Sequence, residues 1–176
     1  NYDNTLQAMR ILTDPRGLAF PARRITLSTV GITPGIRRLA AEPVRVNLAV
    51  SLHAATDKLR SELVPISIQY PLSDLMSAVQ YYTKSTARRV MFEWVMIRGV
   101  NDSLEQAQQL VGLVENIPCH VNLIRLNPTE EYQGTASTDS VINAFAEVLN
   151  RSGVPHTVRQ RNGAAILAGC GQLRTR

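Results

Sequence analysis

Short apolar or β-branched segments alternate with longer segments of helical periodicity along this 176-residue chain. The segments that predict strands are residues 24–28, 46–52, 89–97, 120–126 and 156–161. The segments whose apolar residues recur at helical spacing are residues 33–41, 73–83, 103–114 and 138–151. Such alternation is typical of repeated β/α units around a mostly parallel sheet. The sequence therefore predicts one α/β domain.

The chain opens on a helical pattern. Tyr2, Leu6, Met9 and Leu12 recur at three-to-four spacing, so residues 2–12 are expected to form an amphipathic helix. Because a protein of repeated β/α units ordinarily begins on a strand, we expect earlier strands to precede residue 1 in a longer polypeptide.

Composition excludes several classes of protein. No segment approaches the roughly 18 consecutive apolar residues of a membrane helix, and the first residues lack a secretory signal, so a soluble cytoplasmic protein without a membrane partner is expected. The two cysteines, Cys119 and Cys170, cannot make a four-thiolate site. We therefore predict no metal site and no iron–sulfur cluster held by this chain alone.

The charge balance favours a polyanionic partner. The net charge is +5, and of the 19 Lys and Arg residues only Lys58 and Lys84 are Lys, which leaves 17 Arg. Guanidinium groups suit the recognition of phosphates and bases. The doublets are Arg23-Arg24, Arg37-Arg38 and Arg88-Arg89. The alternative is that these arginines only solvate the surface.

Three of the predicted strands end in polar residues. The strand ends read Ser28-Thr29-Val30-Gly31, Ser51-Leu52-His53 and Asn127-Pro128. Ligands of parallel β/α proteins bind where the carboxyl ends of the strands meet, so these residues can converge on one polar small molecule. Ser-Thr before Gly is also ordinary turn chemistry. His53 can contact a ligand, act as a general base, bind a metal or serve only as a structural hydrogen-bonding group.

Cys170 is the candidate nucleophile. It lies between Gly169 and Gly171, which allow close approach to its sulfur, and the nearby Arg159 and Arg161 favour the thiolate. A buried, inert thiol is the alternative.

Four other residues are predicted to be structural or are left open. Cys119 is expected in the core, and His120 and His156, at strand starts, are expected to be structural. Glu93 faces either a polar barrel interior or the surface.

Five motifs in order resemble the RlmN/Cfr group of radical S-adenosylmethionine (SAM) RNA (adenine) methyltransferases. They occupy residues 22–31, 48–54, 99–102, 119–124 with 126–128, and 170–173. The resemblance covers essentially all of the chain. It implies a partial (β/α) TIM-like barrel of the radical SAM type, of which residues 1–176 are the C-terminal part.

The resemblance also implies the chemistry. Ser28, Ser51, Leu52, His53 and Asn127 match SAM contacts, and Cys170 matches the methyl-carrying cysteine. The implied activity is methylation of adenosine C2 in 23S ribosomal RNA, with transfer RNA as a second substrate. Its cofactors are SAM and a [4Fe-4S] cluster, which needs a reductant.

Some of the family's features are not in this sequence. Its cluster-binding Cys-x-x-x-Cys-x-x-Cys motif, its Gly-Glu contact to SAM and its second catalytic cysteine are expected before residue 1, so the chain alone is expected to be inactive. Ala164, Ala165 and Leu167 stand where the family usually has acidic residues. A non-catalytic RNA-binding paralogue and a C8 methyltransferase remain alternatives. A phosphate-binding metabolic enzyme is disfavoured, because there is no Gly-rich phosphate loop.

Overall fold

The computed structural model describes residues 1–127, 132 and 134–159, and its centre is a parallel sheet. The strands are β1 (Thr26–Thr29), β2 (Asn47–Ser51), β3 (Val90–Met96), β4 (Cys119–Arg125) and β5 (His156–Val158). They lie side by side in chain order, and every neighbouring pair is parallel. All of their carboxyl ends therefore lie at one edge of the sheet. The predicted α/β class with parallel strands is confirmed.

One helix precedes the first strand, and the others connect the strands. They are α1 (Tyr2–Thr13), α2 (Thr33–Ala40), α3 (Asp57–Leu63), α4 (Leu72–Thr86), α5 (Leu104–Val114) and α6 (Asp139–Arg151). Short 3₁₀ turns occupy Ala22–Arg24 and Pro65–Ile68. Because parallel strands in sequential order are joined by right-handed crossovers, the connecting helices pack on the same face of the sheet.

The two faces of the sheet differ in burial. In β3, Phe92 and Trp94 are fully buried on the helix-covered face, and Trp94 packs against Phe145 of α6 with ring centroids 5.6 Å apart. Met91, Glu93 and Val95 alternate with them and are only partly buried. The sheet therefore has one packed face and one open face, and the open face carries polar side chains.

Most predicted strand bounds differ from the structure by at most one residue, but two differ by more. Arg24 ends a 3₁₀ turn instead of beginning a strand, so β1 starts two residues later than predicted. β5 ends at Val158, and the predicted residues 160 and 161 lie outside the described residues. The predicted first helix is confirmed as α1.

Helix α3 was not predicted, because the helix buries Arg60 where an amphipathic pattern would place an apolar residue. At the start of α5 the Ser103 hydroxyl accepts the Gln106 N–H, and the Gln106 side chain donates to Gln109, so only one half of a capping box forms. Among the described residues, no helix is long and apolar enough to cross a membrane.

Candidate functional site at the carboxyl ends of the strands

Two serines lie on the open face near the carboxyl ends of neighbouring strands. Ser28 of β1 is in register with Ala49 of β2, and Ser51 stands two residues further along β2. The two side chains share a face and are offset along the strand direction by roughly 7 Å. Within the described part of the chain, neither hydroxyl has a hydrogen-bond partner. The Ser28 side chain is exposed at this edge and the Ser51 side chain is partly buried.

His53 ends the turn that follows β2 in an unusual backbone conformation. Its φ is +60°, in the left-handed region that few non-glycine residues adopt. The ring Nδ1 accepts the Val95 N–H at 3.2 Å. This bond ties the His53 ring to β3 and leaves Nε2 as the nitrogen that carries the proton in the neutral form.

The His53 imidazole is neutral at physiological pH. Burial, and to a smaller extent the positive charge of Arg60, together lower its pKa to about 4. A neutral ring whose Nδ1 is already bonded can donate one hydrogen bond through Nε2–H. It is therefore a fixed hydrogen-bond donor at this edge and a poor general base, which argues against one of the roles left open by the sequence.

Asn101 holds the turn at His53 from the β3 side. Its fully buried amide donates to the carbonyls of His53 at 2.8 Å and Val95 at 2.7 Å, and its Oδ1 accepts the Ile97 N–H at 2.8 Å. The sequence motif at residues 99–102 marks this asparagine, but its partner at His53 is 48 residues away. Its positioning role could not be read from the sequence.

The other predicted contacts differ in how they meet the open face. The Leu52 side chain is fully buried. Its N–H donates to the main-chain carbonyl of Glu93, and its own carbonyl accepts from Arg60 Nε and from the Ala54 N–H. Leu52 therefore shapes the turn and exposes no polar group to a ligand. Asn127 is partly buried and lies two residues after β4. Cys170 lies outside the described residues.

Glu93 lies in a polar row across the open face. It is in register with Ser51 of β2 and with Asn122 of β4. One carboxylate oxygen accepts the Asn122 amide at 2.8 Å, and the other is buried without a hydrogen bond, 3.9 Å from the Arg159 guanidinium. The sequence left open whether Glu93 faces a barrel interior or the surface, and the structure shows that it faces inward, on the open face of the sheet.

The arginine doublets divide into two groups. Arg37 of α2 forms an ion pair with Asp74, and Arg38 forms one with Asp3, so these two arginines have structural partners. The doublets Arg23-Arg24 and Arg88-Arg89 lie at the amino ends of β1 and β3, and within the described residues their side chains form no ion pair. The second group, which has no carboxylate partner in the described residues, therefore fits the predicted polyanion contacts better than the first.

The remaining candidates behave as structural groups. Cys119 is buried, and burial raises the pKa of its thiol to about 11, so it stays protonated. His120 shares a 2.8 Å hydrogen bond with Thr157. In the described ranges no three His, Cys, Asp or Glu side chains cluster as metal ligands would.

No family model matches the chain, but curated relatives do. It is 51% identical over 174 residues to the dual-specificity RNA methyltransferase RlmN 1 of Myxococcus xanthus, a match that covers 99% of this chain and 48% of the relative. It is 46% identical over 176 residues to the probable dual-specificity RNA methyltransferase RlmN of Geobacillus kaustophilus, covering 100% of this chain and 48% of that relative. The chain thus spans about half the length of these relatives.

Solved structures agree with the sequence comparison. A radical SAM methyltransferase from Sphaerobacter thermophilus superimposes with a TM-score of 0.96 at 49% identity, over 99% of this chain and 51% of that one. A domain of a pyruvate-formate lyase-activating enzyme from Bacteroides vulgatus shares the fold alone, with a TM-score of 0.64 at 11% identity over 90% of this chain and 93% of that one. The partial (β/α) barrel of the radical SAM type is confirmed. Over nearly all of its residues, the chain belongs to the RlmN family of radical SAM RNA methyltransferases.

Proposed function

We propose that this chain is the C-terminal part of a radical SAM enzyme that methylates C2 of an adenosine in RNA, with Cys170 as the methyl carrier. The observation that carries the proposal is the meeting of Ser28, Ser51 and His53 at one edge of a parallel sheet in an RlmN-family chain. Ribosomal 23S RNA is the proposed substrate, and transfer RNA is the second.

The residues at this edge suit SAM chemically. SAM carries ribose hydroxyls, a carboxylate and adenine nitrogens, all of which accept hydrogen bonds. Ser28 and Ser51 offer accessible hydroxyls without partners in the described residues, and the neutral His53 offers Nε2–H. We assign SAM binding to Ser28, Ser51 and His53, with Leu52 shaping the turn after β2 and Asn127 contributing from the end of β4.

The proposed first step is a polar displacement. The Cys170 thiolate attacks the methyl carbon of SAM; the new carbon–sulfur bond forms as the methyl–sulfonium bond breaks, and S-adenosylhomocysteine leaves. Cys119 cannot take this role, because its buried thiol stays protonated at neutral pH. The detour through cysteine fits the target, because adenine C2 is too poor a nucleophile to attack SAM directly.

A bound [4Fe-4S] cluster would supply the electron for the radical chemistry that transfers the carbon to C2. We assign its ligands to residues outside this chain. What this chain contributes is geometry, because it must hold sulfur, SAM and base in line. The target base has to be unstacked to reach a site at the strand ends.

The proposal is tested on the complete polypeptide that contains this chain. Mass spectrometry should find one added methyl group on the Cys170 peptide, and digestion of the RNA product should yield 2-methyladenosine. Cys170→Ala should abolish both signals. Cys119→Ala, which removes the other thiol from the chain, should keep both.

Three results would contradict the proposal in different ways. Methyladenosine formed by Cys170→Ala would exclude the carrier role. An 8-methyladenosine product would exclude C2. RNA binding with no methylated nucleoside in the presence of SAM, cluster and reductant would favour a non-catalytic RNA-binding protein.

A further inference from the structure

A buried arginine joins the carboxyl ends of β1 and β2. Arg60 of α3 is fully buried and donates to three main-chain carbonyls. The acceptors are the carbonyls of Val30 at 2.8 Å, Ser51 at 3.2 Å and Leu52 at 3.3 Å. Val30 follows β1, Ser51 ends β2 and Leu52 follows β2, so one guanidinium bridges the ends of both strands.

These contacts begin where the sheet ladder stops. The register of β1 and β2 ends at the pair Thr29 and Val50. The next carbonyls, on Val30 and Ser51, both accept from the same Arg60 nitrogen. Arg60 therefore continues the coupling of the two strands past their last registered pair, at the level of the site residues.

Burial of this charge is not explained by stability alone. Arg60 makes no ion pair with a carboxylate among the described residues, and its third nitrogen is buried without a hydrogen-bond partner. A buried guanidinium that is incompletely satisfied costs free energy, and apolar side chains often replace buried charges without loss of stability. The group is therefore better explained by the geometry that it imposes.

Gly31, the residue after Val30, leaves room for the Arg60 guanidinium. Gly31 has a φ of +101°, and a Cβ at this position would come within 2.9 Å of the Arg60 nitrogen that bridges the two strands. The same Cβ would come within 3.3 Å of Leu75. The glycine after β1 thus leaves the space that the arginine occupies.

We propose that Arg60 is a positioning residue for SAM: it fixes β1 against β2 so that Ser28, Ser51 and His53 reach one ligand together. This inference rests on the proposed function. Arg60 touches no ligand in this scheme and acts through the main chain of the residues that do. Its charge also helps to keep His53 neutral.

The test measures binding of radiolabelled SAM by equilibrium dialysis to the complete polypeptide with its cluster reconstituted. Arg60→Met keeps an unbranched apolar stem and removes all three hydrogen bonds, so the Kd for SAM should rise roughly ten- to a hundredfold. Arg60→Lys keeps the charge but lacks the planar fork, so it should rescue only part of the loss. Affinity for substrate RNA should not change in either variant.

Two control variants separate positioning from general instability. Arg151→Met removes an exposed arginine whose partner is Glu147 on α6, and it should bind SAM as the wild type does. Leu149→Ala removes a buried side chain of α6 and should destabilise the fold without touching the site residues. At matched melting temperature its affinity for SAM should exceed that of Arg60→Met.

The outcomes distinguish the two proposals. A wild-type protein that does not bind SAM overturns the proposed function. A wild type that binds SAM, with Arg60→Met binding as tightly as the wild type or no more weakly than Leu149→Ala, overturns the role of Arg60 alone. If Arg60→Met does not fold, Arg60→Lys decides, because full affinity in that variant would also exclude the role.

Discussion

His53 illustrates how a single residue is prepared for binding. A left-handed backbone conformation costs a non-glycine residue free energy, and the surrounding contacts must offset this strain. Here the ring is bonded to Val95 and the main-chain carbonyl to Asn101, so His53 is held on both sides. The ring therefore has a fixed direction before any ligand binds, which reduces the entropy that binding must overcome.

The first prediction is that His53 stays neutral down to about pH 4. An unfolded histidine titrates near pH 6.5, so between about pH 6.5 and pH 4 the folded state binds fewer protons at this position than the unfolded state does. The contribution of His53 to stability is therefore present above this window and is lost as the pH falls through it. Imidazole ring NMR signals recorded against pH measure the value directly, and His53→Asn, which tolerates a positive φ, assigns the signal. Titration of His53 near pH 6.5 would contradict the prediction.

The sequence gives access to only part of this site. Ser28, Ser51 and His53 could be found because each lies at or just after the end of a strand pattern, and parallel strands bring such ends together. Arg60 and Asn101 could not, because each acts on main-chain atoms of segments that are distant in sequence: Arg60 reaches Val30 across 30 residues and Asn101 reaches His53 across 48. No local pattern contains these contacts.

At the scale of elements, the turn between β1 and α2 depends on Gly31. The second prediction compares Gly31→Ala with Gly153→Ala in the complete polypeptide. Both glycines have positive φ, but a Cβ at Gly153 meets nothing within 4 Å, whereas a Cβ at Gly31 meets Arg60 and Leu75. Gly153→Ala should lose only the backbone term of about 1–2 kcal/mol, and Gly31→Ala should lose more.

Urea unfolding gives both free energies, and the dialysis assay for SAM gives a second readout. Gly31→Ala should weaken SAM binding, because Arg60 has to move, while Gly153→Ala should not. Equal losses of stability with equal SAM affinity would show that Gly31 matters only for its backbone conformation.

Elements with apolar periodicity were predictable, and those without it were not. Helices α4 and α6 bury regular apolar faces and were found in the sequence, whereas α3 has seven residues and buries Arg60 among them. The start of β1 was misplaced because residues 22–24 carry no turn signal and yet form a 3₁₀ turn. Local patterns report burial of apolar groups, and these two segments depend on polar or tertiary contacts instead.

At the scale of the whole molecule, the sheet has an unprotected edge. β1 pairs with β2 on one side, and in the described part of the chain no strand pairs with its other side. Its residues alternate between exposed and half-buried, and the segment before it exposes Leu18 at 68% and Phe20 at 46%. An open strand edge beside exposed apolar residues is a site of association.

The third prediction is that residues 1–176, expressed alone, associate through this edge. In the proposed longer enzyme, further β/α units cover it, so the isolated chain should sediment as a concentration-dependent mixture and unfold with low cooperativity. Replacing Leu18 and Phe20 together by Lys should shift the mixture towards monomer, because charge beside an open edge opposes pairing. Ile68→Lys, at a residue 77% exposed on a distant 3₁₀ turn, is the matched control and should leave association unchanged. An isolated chain that stays monomeric at every concentration and melts in one sharp transition would instead show that the five-stranded sheet is a complete folding unit.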